Sequence, residues 1–112
     1  MIVMKFEDLK IRQLSELLVV EVYEIFGSSK DYGFKDQIQR ASVSVMNNIA
    51  EFERTLKDRQ RFLIIAKSVG EVRSMLHIAL QLQYLTEDYE RLLEMCLGLS
   101  AGIHSFSINM KF

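Results

Sequence analysis

Proline and tryptophan are absent from this chain of 112 residues, cysteine occurs once and histidine twice. Each shortage removes a class of explanation. Without proline, nothing interrupts a helix from inside, where a proline would cost ~3 kcal/mol. Cys96 has no second thiol for an intramolecular disulfide, and its apolar setting, LLEMCLGL, marks a small core residue rather than a reactive thiol. No Glu stands three residues before His77 or His104, so the Glu-x-x-His pairs of a di-metal helical bundle are missing. The chain has no Gly-rich phosphate loop, no Gly-x-Ser-x-Gly and no Cys-x-x-Cys. No apolar run nears the ~18 residues of a membrane span, and Glu7 and Asp8 follow the apolar start too soon for a secretion signal. The expectation is a non-enzymatic cytoplasmic protein with no cofactor, no metal and no membrane contact.

What is present suits one globular domain over residues 1–112, with 49% hydrophobic and 26% charged residues. The net charge of −1 provides no overall field toward nucleic acid or membrane. Apolar residues recur at helical spacing throughout, and no strand pattern competes. A first helix is expected over about 7–27, with Leu14, Leu17, Leu18, Ile25 and Phe26 inward and Gly27 past its end. A polar loop follows, in which Gly33 permits a positive φ. A second helix, about 34–54, places Phe34, Ile38, Ala41, Val45, Ile49 and Phe52 on one arc. The third runs over about 58–84, introduced by a Thr55-x-x-Asp58 capping box, and the fourth over about 87–109 behind Thr86 as N-cap. Tyr89, Leu92, Leu93, Cys96, Leu99, Ile103, Phe106 and Met110 form the last core stripe, while Gly98 and Gly102 permit a close neighbour. Short connections make this an all-α, antiparallel up-down-up-down four-helix bundle.

Two helices carry more than a core stripe. Beside its apolar arc the second bears Gln37, Arg40, Ser44, Asn48 and Glu51. This polar stripe suits either a small polar ligand or a set of groups that fixes helix register and oligomeric state. The third helix has Phe62, Ala66, Val69, Leu76, Ala79 and Leu80 on one face and Ile64, Met75, Ile78 and Leu82 on another. A second apolar face on a surface helix implies a further subunit, with a bundle wrapped around the helix as the alternative. Glu71 within that face pairs with Arg40, inside or between subunits, or else both sit hydrated at a rim. Arg73, on the first face, has the reach to extend its charge to water. Arg54, Lys57, Arg59 and Arg61 cluster at the turn between the second and third helices. Repeated by each subunit of an oligomer, they would attract a phosphate backbone, although no aromatic residue interleaves for base stacking.

The run Phe34, Asp36-Gln37-Ile38, Arg40-Ala41, Val43-Ser44 and Asn48-Ile49-Ala50-Glu51 resembles the signature of the four-helix-bundle proteins of the 23S rRNA intervening-sequence family. Phe6-x-x-Leu9, Phe62-Leu63-x-x-Ala66-Lys67, Ser68, Glu71 and Tyr84-Leu85 extend the similarity over nearly the whole chain. The chain departs from the pattern at Phe52, where the family usually has Gly, at a shorter turn before the third helix, and at Lys67, which runs directly into Ser68. The resemblance implies a bacterial protein that forms a homo-oligomeric ring, a pentamer, in a family with no assigned biochemical role. It also implies kinship with the accessory protein of diversity-generating retroelements, which works with a reverse transcriptase and nucleic acid. Two expectations follow: a scaffold that assembles with itself and contacts RNA or DNA, or a structural, protein-binding module with no nucleic-acid role.

Overall fold

The structure, a computed structural model, describes residues 10–55 and 59–109. It consists of α1 (Ile11–Phe26), α2 (Tyr32–Thr55), α3 (Arg59–Gln81) and α4 (Tyr89–Asn109), with no strand among the described residues. The all-α expectation of four helices is met. The packed pairs are α1 with α2, α2 with α3, α3 with α4 and α4 with α1, so each helix has two neighbours around one central core. Leu14, Leu18, Val22 and Phe26 enter that core from α1, and Ile38, Ala41, Val45, Ile49 and Phe52 from α2. Ile65, Val69, Val72, Leu76 and Ala79 come from α3, and Leu92, Met95, Cys96, Leu99 and Ile103 from α4.

Helix ends differ from the expected ones for identifiable reasons. Asp31 caps α2: its Oδ1 accepts the Phe34 N–H at 3.1 Å, and Ser29 Oγ accepts the Asp31 N–H at 3.2 Å. The helix therefore starts at Tyr32, and Gly33 is a helical residue without a positive φ. At the end of α3, Gln83 takes a φ of 63°. The Tyr84 N–H bonds back to the Ala79 carbonyl at 2.8 Å and the Gln83 N–H to the Leu80 carbonyl at 3.1 Å. This is the Schellman arrangement, usually built on glycine, and it stops α3 at Gln81. Asp88, not Thr86, directly precedes α4, and its carbonyl accepts the Leu92 N–H at 3.0 Å. The expected capping residue Asp58 and the expected start of α1 at residue 7 lie outside the described residues, as do Met110 and the side chain of Phe106.

The face that α3 turns inward also differs. Ile65, Ser68, Val69, Val72, Met75, Leu76 and Ala79 are buried. Of the expected core positions, Phe62 is half-buried, while Ala66 and Leu80 are exposed. Met75, expected on the outer face, lies in the core at 9% exposure. With apolar residues on both sides of its inner arc, α3 has no single stripe for periodicity to identify. Its rotation is set by which polar residues find partners on α2.

Glycines let α1 settle on α4. A Cβ placed on Gly98 would stand 3.0 Å from Leu14 Cδ2, and one on Gly102 would overlap the branched Ile11 side chain. Gly70, in the middle of α3, has open space where its Cβ would be. Helix propensity alone favours Ala over Gly by ~1 kcal/mol at each of these sites. The open site at Gly70 keeps that sign, and the close contact at Gly102 reverses it. In denaturant titrations, Gly70→Ala is expected to stabilise the fold by roughly 1 kcal/mol, and Gly102→Ala to destabilise it by about 1–2 kcal/mol through overpacking against Ile11.

Candidate interaction face on α2 and α3

The polar stripe of α2 divides in two when its surroundings are seen. Ser44 and Asn48 are half-buried and face α3. Ser44 Oγ lies 2.9 Å from Ser68 Oγ, with either hydroxyl able to donate. The Asn48 amide donates to the Ser44 carbonyl at 2.7 Å and to Ser44 Oγ at 3.2 Å. Its own Oδ1 accepts a 2.7 Å hydrogen bond from Arg61 Nη1. Four residues from two helices thus form one connected polar seam, and no buried side-chain N or O among the described residues lacks a partner. Such a seam is satisfied from within, which is what a low-dielectric setting demands of polar groups.

The other members of the stripe point outward. Gln37 is exposed. Arg40 Nε lies 2.8 Å from Asp36 Oδ2, one turn back on the same helix. Arg54 Nη2 likewise lies 2.6 Å from Glu51 Oε2. The Ser44–Ser68 contact brings Arg40 level with Glu71 and Val72, yet within the chain Arg40 turns to Asp36, and Glu71 is exposed with no ion-pair partner among the described residues. The local i,i+4 pair forms without ordering two distant side chains, which explains the preference. Ile64 and Ile78 of α3 are 42% and 44% exposed, with Leu82 directly after the helix at 52%, and Ile78 also lines a cleft with Tyr89 and Leu93 of α4. The hairpin therefore offers a mixed surface, with paired charges on α2 and an uncovered apolar row on α3.

The basic cluster at the α2–α3 turn is only partly available. Arg54 is engaged by Glu51 and Arg61 by Asn48. Arg59 is exposed with no ion-pair partner among the described residues, and Lys57 lies outside them.

Other chemistry-bearing groups do not converge. His77 is exposed, with its Nε2 3.3 Å from Gln81 Nε2, and His104 is exposed on α4. Among the described residues no group of three or more His, Cys, Asp or Glu is placed to hold a metal ion, and no helix is long and apolar enough to cross a membrane. A cleft of about 320 Å³ between α3 and α4 is lined by Phe62, Ile65, Ala66, Val69 and Ile103, with Ser100 and His104 as its polar members. Burial pushes the Cys96 thiol up to about 12, with nearby Arg73 opposing only in part. A thiol so far from ionisation is a poor nucleophile.

One further site escapes local pattern. The Tyr84 hydroxyl donates to Asp31 Oδ2 at 2.8 Å, joining the α1–α2 loop to the turn after α3. That bond holds the phenol proton and raises the Tyr84 pKa, with partial burial and the Asp31 charge adding to the effect. The Tyr84 ring meets Phe34 edge-on at 5.4 Å between centroids, and Phe34 tilts against Phe26 at 5.8 Å.

A family model described as 23S rRNA-intervening sequence protein matches residues 7–105 of the chain. No curated protein and no solved structure matches it. The seam itself makes a stability prediction. Asn48→Ala removes the Arg61 acceptor and two hydrogen bonds to Ser44, and is expected to cost about 1–2 kcal/mol in urea unfolding. Gln37→Ala, on the exposed part of the same stripe, is expected to stay within ~0.5 kcal/mol of the parent.

Proposed function

The chain belongs to the 23S rRNA-intervening sequence protein family, and from that premise we propose that it acts as a non-enzymatic, self-associating helical scaffold. Its four helices are read as an up-down-up-down antiparallel bundle. Opposite-running contacts support this: Ile11 with Gly102, Leu14 with Gly98 and Glu21 with Arg91 between α1 and α4, and Ser44 with Ser68 and Asn48 with Arg61 between α2 and α3.

The observation that carries the proposal is the row Ile64, Ile78 and Leu82, which the chain's own packing leaves uncovered. Exposed apolar side chains that recur along one side of a helix mark association surfaces. The neighbouring strip of α2 holds its charges in local pairs, which leaves exposed Glu71 on α3 as the charge that a partner has to meet. The partner is a further copy of this chain, and the assembly is a closed ring of five. Ring closure would repeat the α2–α3 turn around one rim, and RNA or DNA is the partner suited to that rim. Arg59 supports this second step most directly, since Arg54 and Arg61 already have intramolecular partners.

Light scattering on a sizing column is expected to give a mass near five protomers for the parent and one protomer for Ile78→Glu/Leu82→Glu, with helix content by circular dichroism unchanged. A parent mass of one protomer would overturn the scaffold reading. For the nucleic-acid step, binding to single-stranded RNA is expected to fall steeply with added salt and with Arg54, Lys57, Arg59 and Arg61 all changed to Ala. Equal binding by that quadruple variant would remove the rim contact.

A further inference from the structure

The cleft between α3 and α4 has a chemical character that neither the polar seam nor the α3 row shares. Phe62, Ile65, Ala66, Val69 and Ile103 form its apolar walls around about 320 Å³, with Ser100 and His104 as its polar members. It lies on the flank of α3 opposite to Ser68 and Arg61, which meet α2, and it has no residue in common with the row Ile64, Ile78 and Leu82. Ser100 is half-buried there, and its hydroxyl has no hydrogen-bond partner among the described residues. Helical serines away from water usually return the hydroxyl to their own backbone. Ser15 and Ser42 do so, donating to the Arg12 and Gln39 carbonyls at 2.7 and 2.9 Å. A hydroxyl left open in an apolar cleft is a point at which an outside polar group can bind.

Spacing along α3 gives that outside group a sign. Arg59, Phe62, Ala66, Val69 and Arg73 recur at intervals of three and four, so they share one face of the helix. The two arginines therefore stand at either end of the apolar wall. Both are exposed, and neither has an ion-pair partner among the described residues. At about 100° per residue, Lys67 and Glu71 turn away from this face of α3, and Glu90 and Glu94 lie on the outward side of α4 toward the Arg73 end. The Arg59 end, where His104 also stands, is the more positive; Lys57 and Asp58 lie outside the described residues. We propose that this cleft binds a medium-chain fatty acid, with the chain against Phe62, Ile65, Val69 and Ile103 and the carboxylate accepting the Ser100 hydroxyl in the field of Arg59 and Arg73. From Phe62 to Val69 the wall runs roughly 10 Å, which seats one such chain and excludes a two-tailed phospholipid. Burial of the chain drives binding, and the flanking cations select the head group. The site is independent of the self-association proposed above.

Octanoate, octylamine and 1-octanol test the proposal, because they carry the same chain with an anionic, a cationic and a neutral head. In amide NMR titrations of the full chain, octanoate is expected to give saturable shifts centred on residues 62–69 and 100–104. Octanol is expected to bind there more weakly, and octylamine to leave these positions unmoved. Ala66 is exposed, so Ala66→Phe is expected to keep parental helix content and melting cooperativity while its ring fills the cleft and abolishes octanoate binding. Ser100→Ala is expected to weaken octanoate about tenfold, since a hydrogen bond to a charged group is lost. Arg59→Glu is expected to weaken octanoate and spare octanol. The Ile78→Glu/Leu82→Glu variant is expected to bind octanoate as the parent does, whatever its mass. Shifts that do not saturate, equal affinity for octylamine, or undiminished octanoate binding by folded Ala66→Phe would overturn the site. Phosphatidylglycerol vesicles are expected to leave the protein in solution; sedimentation with them that Ala66→Phe abolishes would make a membrane surface the occupant and overturn the free fatty acid.

Discussion

A single hydroxyl pair, Ser44 with Ser68 at 2.9 Å, fixes how the two longest helices lie against each other. Apolar side chains tolerate several registers at similar cost, because burial is non-directional. Hydrogen bonds do not. Sliding α3 by one turn would part Ser44 from Ser68 and take Arg61 from Asn48, leaving half-buried polar groups without partners. The same bond sets the rotation of α3. With Ser68 drawn inward, Val72 falls at the middle of the core arc, Met75 is carried in with it, and Ile64, Ile78 and Leu82 are carried out. The exposed row is thus a geometric consequence of an internal polar contact.

This dependence explains what the sequence revealed and what it withheld. The inward arc of α2, from Phe34 to Phe52, was legible because one face is apolar and its flank is polar. The core positions Leu92, Cys96, Leu99 and Ile103 of α4 were legible for a similar reason. On α3 periodicity could show that two faces were apolar but not which one faced the centre, so Val72 and Ile65 were missed and Ala66 and Leu80 misplaced. Within the candidate site, Ser44 and Asn48 stood out as unusual polar residues beside a core stripe. Their partners lie 13–24 positions away, beyond the reach of any local pattern. Within the chain Arg40 pairs with Asp36, its i−4 neighbour, which lies nearer in sequence than Glu71. Gln83 offered no signal at all, since glycine is the residue that normally announces a left-handed helix end.

Phe52 shows how one large side chain anchors the end of a helix. The chain buries this aromatic ring completely, 6.5 Å from the ring of Phe62 across the hairpin. An aromatic pair of this kind adds cohesion beyond its buried area. The end of α2 is thereby tied to the beginning of α3, close to where Arg61 reaches Asn48. A glycine at this point would have favoured backbone freedom, and the phenylalanine favours anchorage.

The Asp31 carboxylate serves partners at very different distances along the chain. One oxygen caps the first turn of α2 three residues away, and the other receives the Tyr84 hydroxyl across 53 positions. The two bonds therefore depend on different parts of the fold. The cap needs only the first turn of α2, whereas the Tyr84 bond needs the α1–α2 loop and the turn after α3 held side by side. Loss of the Tyr84 hydroxyl leaves the start of α2 capped, while loss of the Asp31 carboxylate unfastens the helix end and the loop contact together.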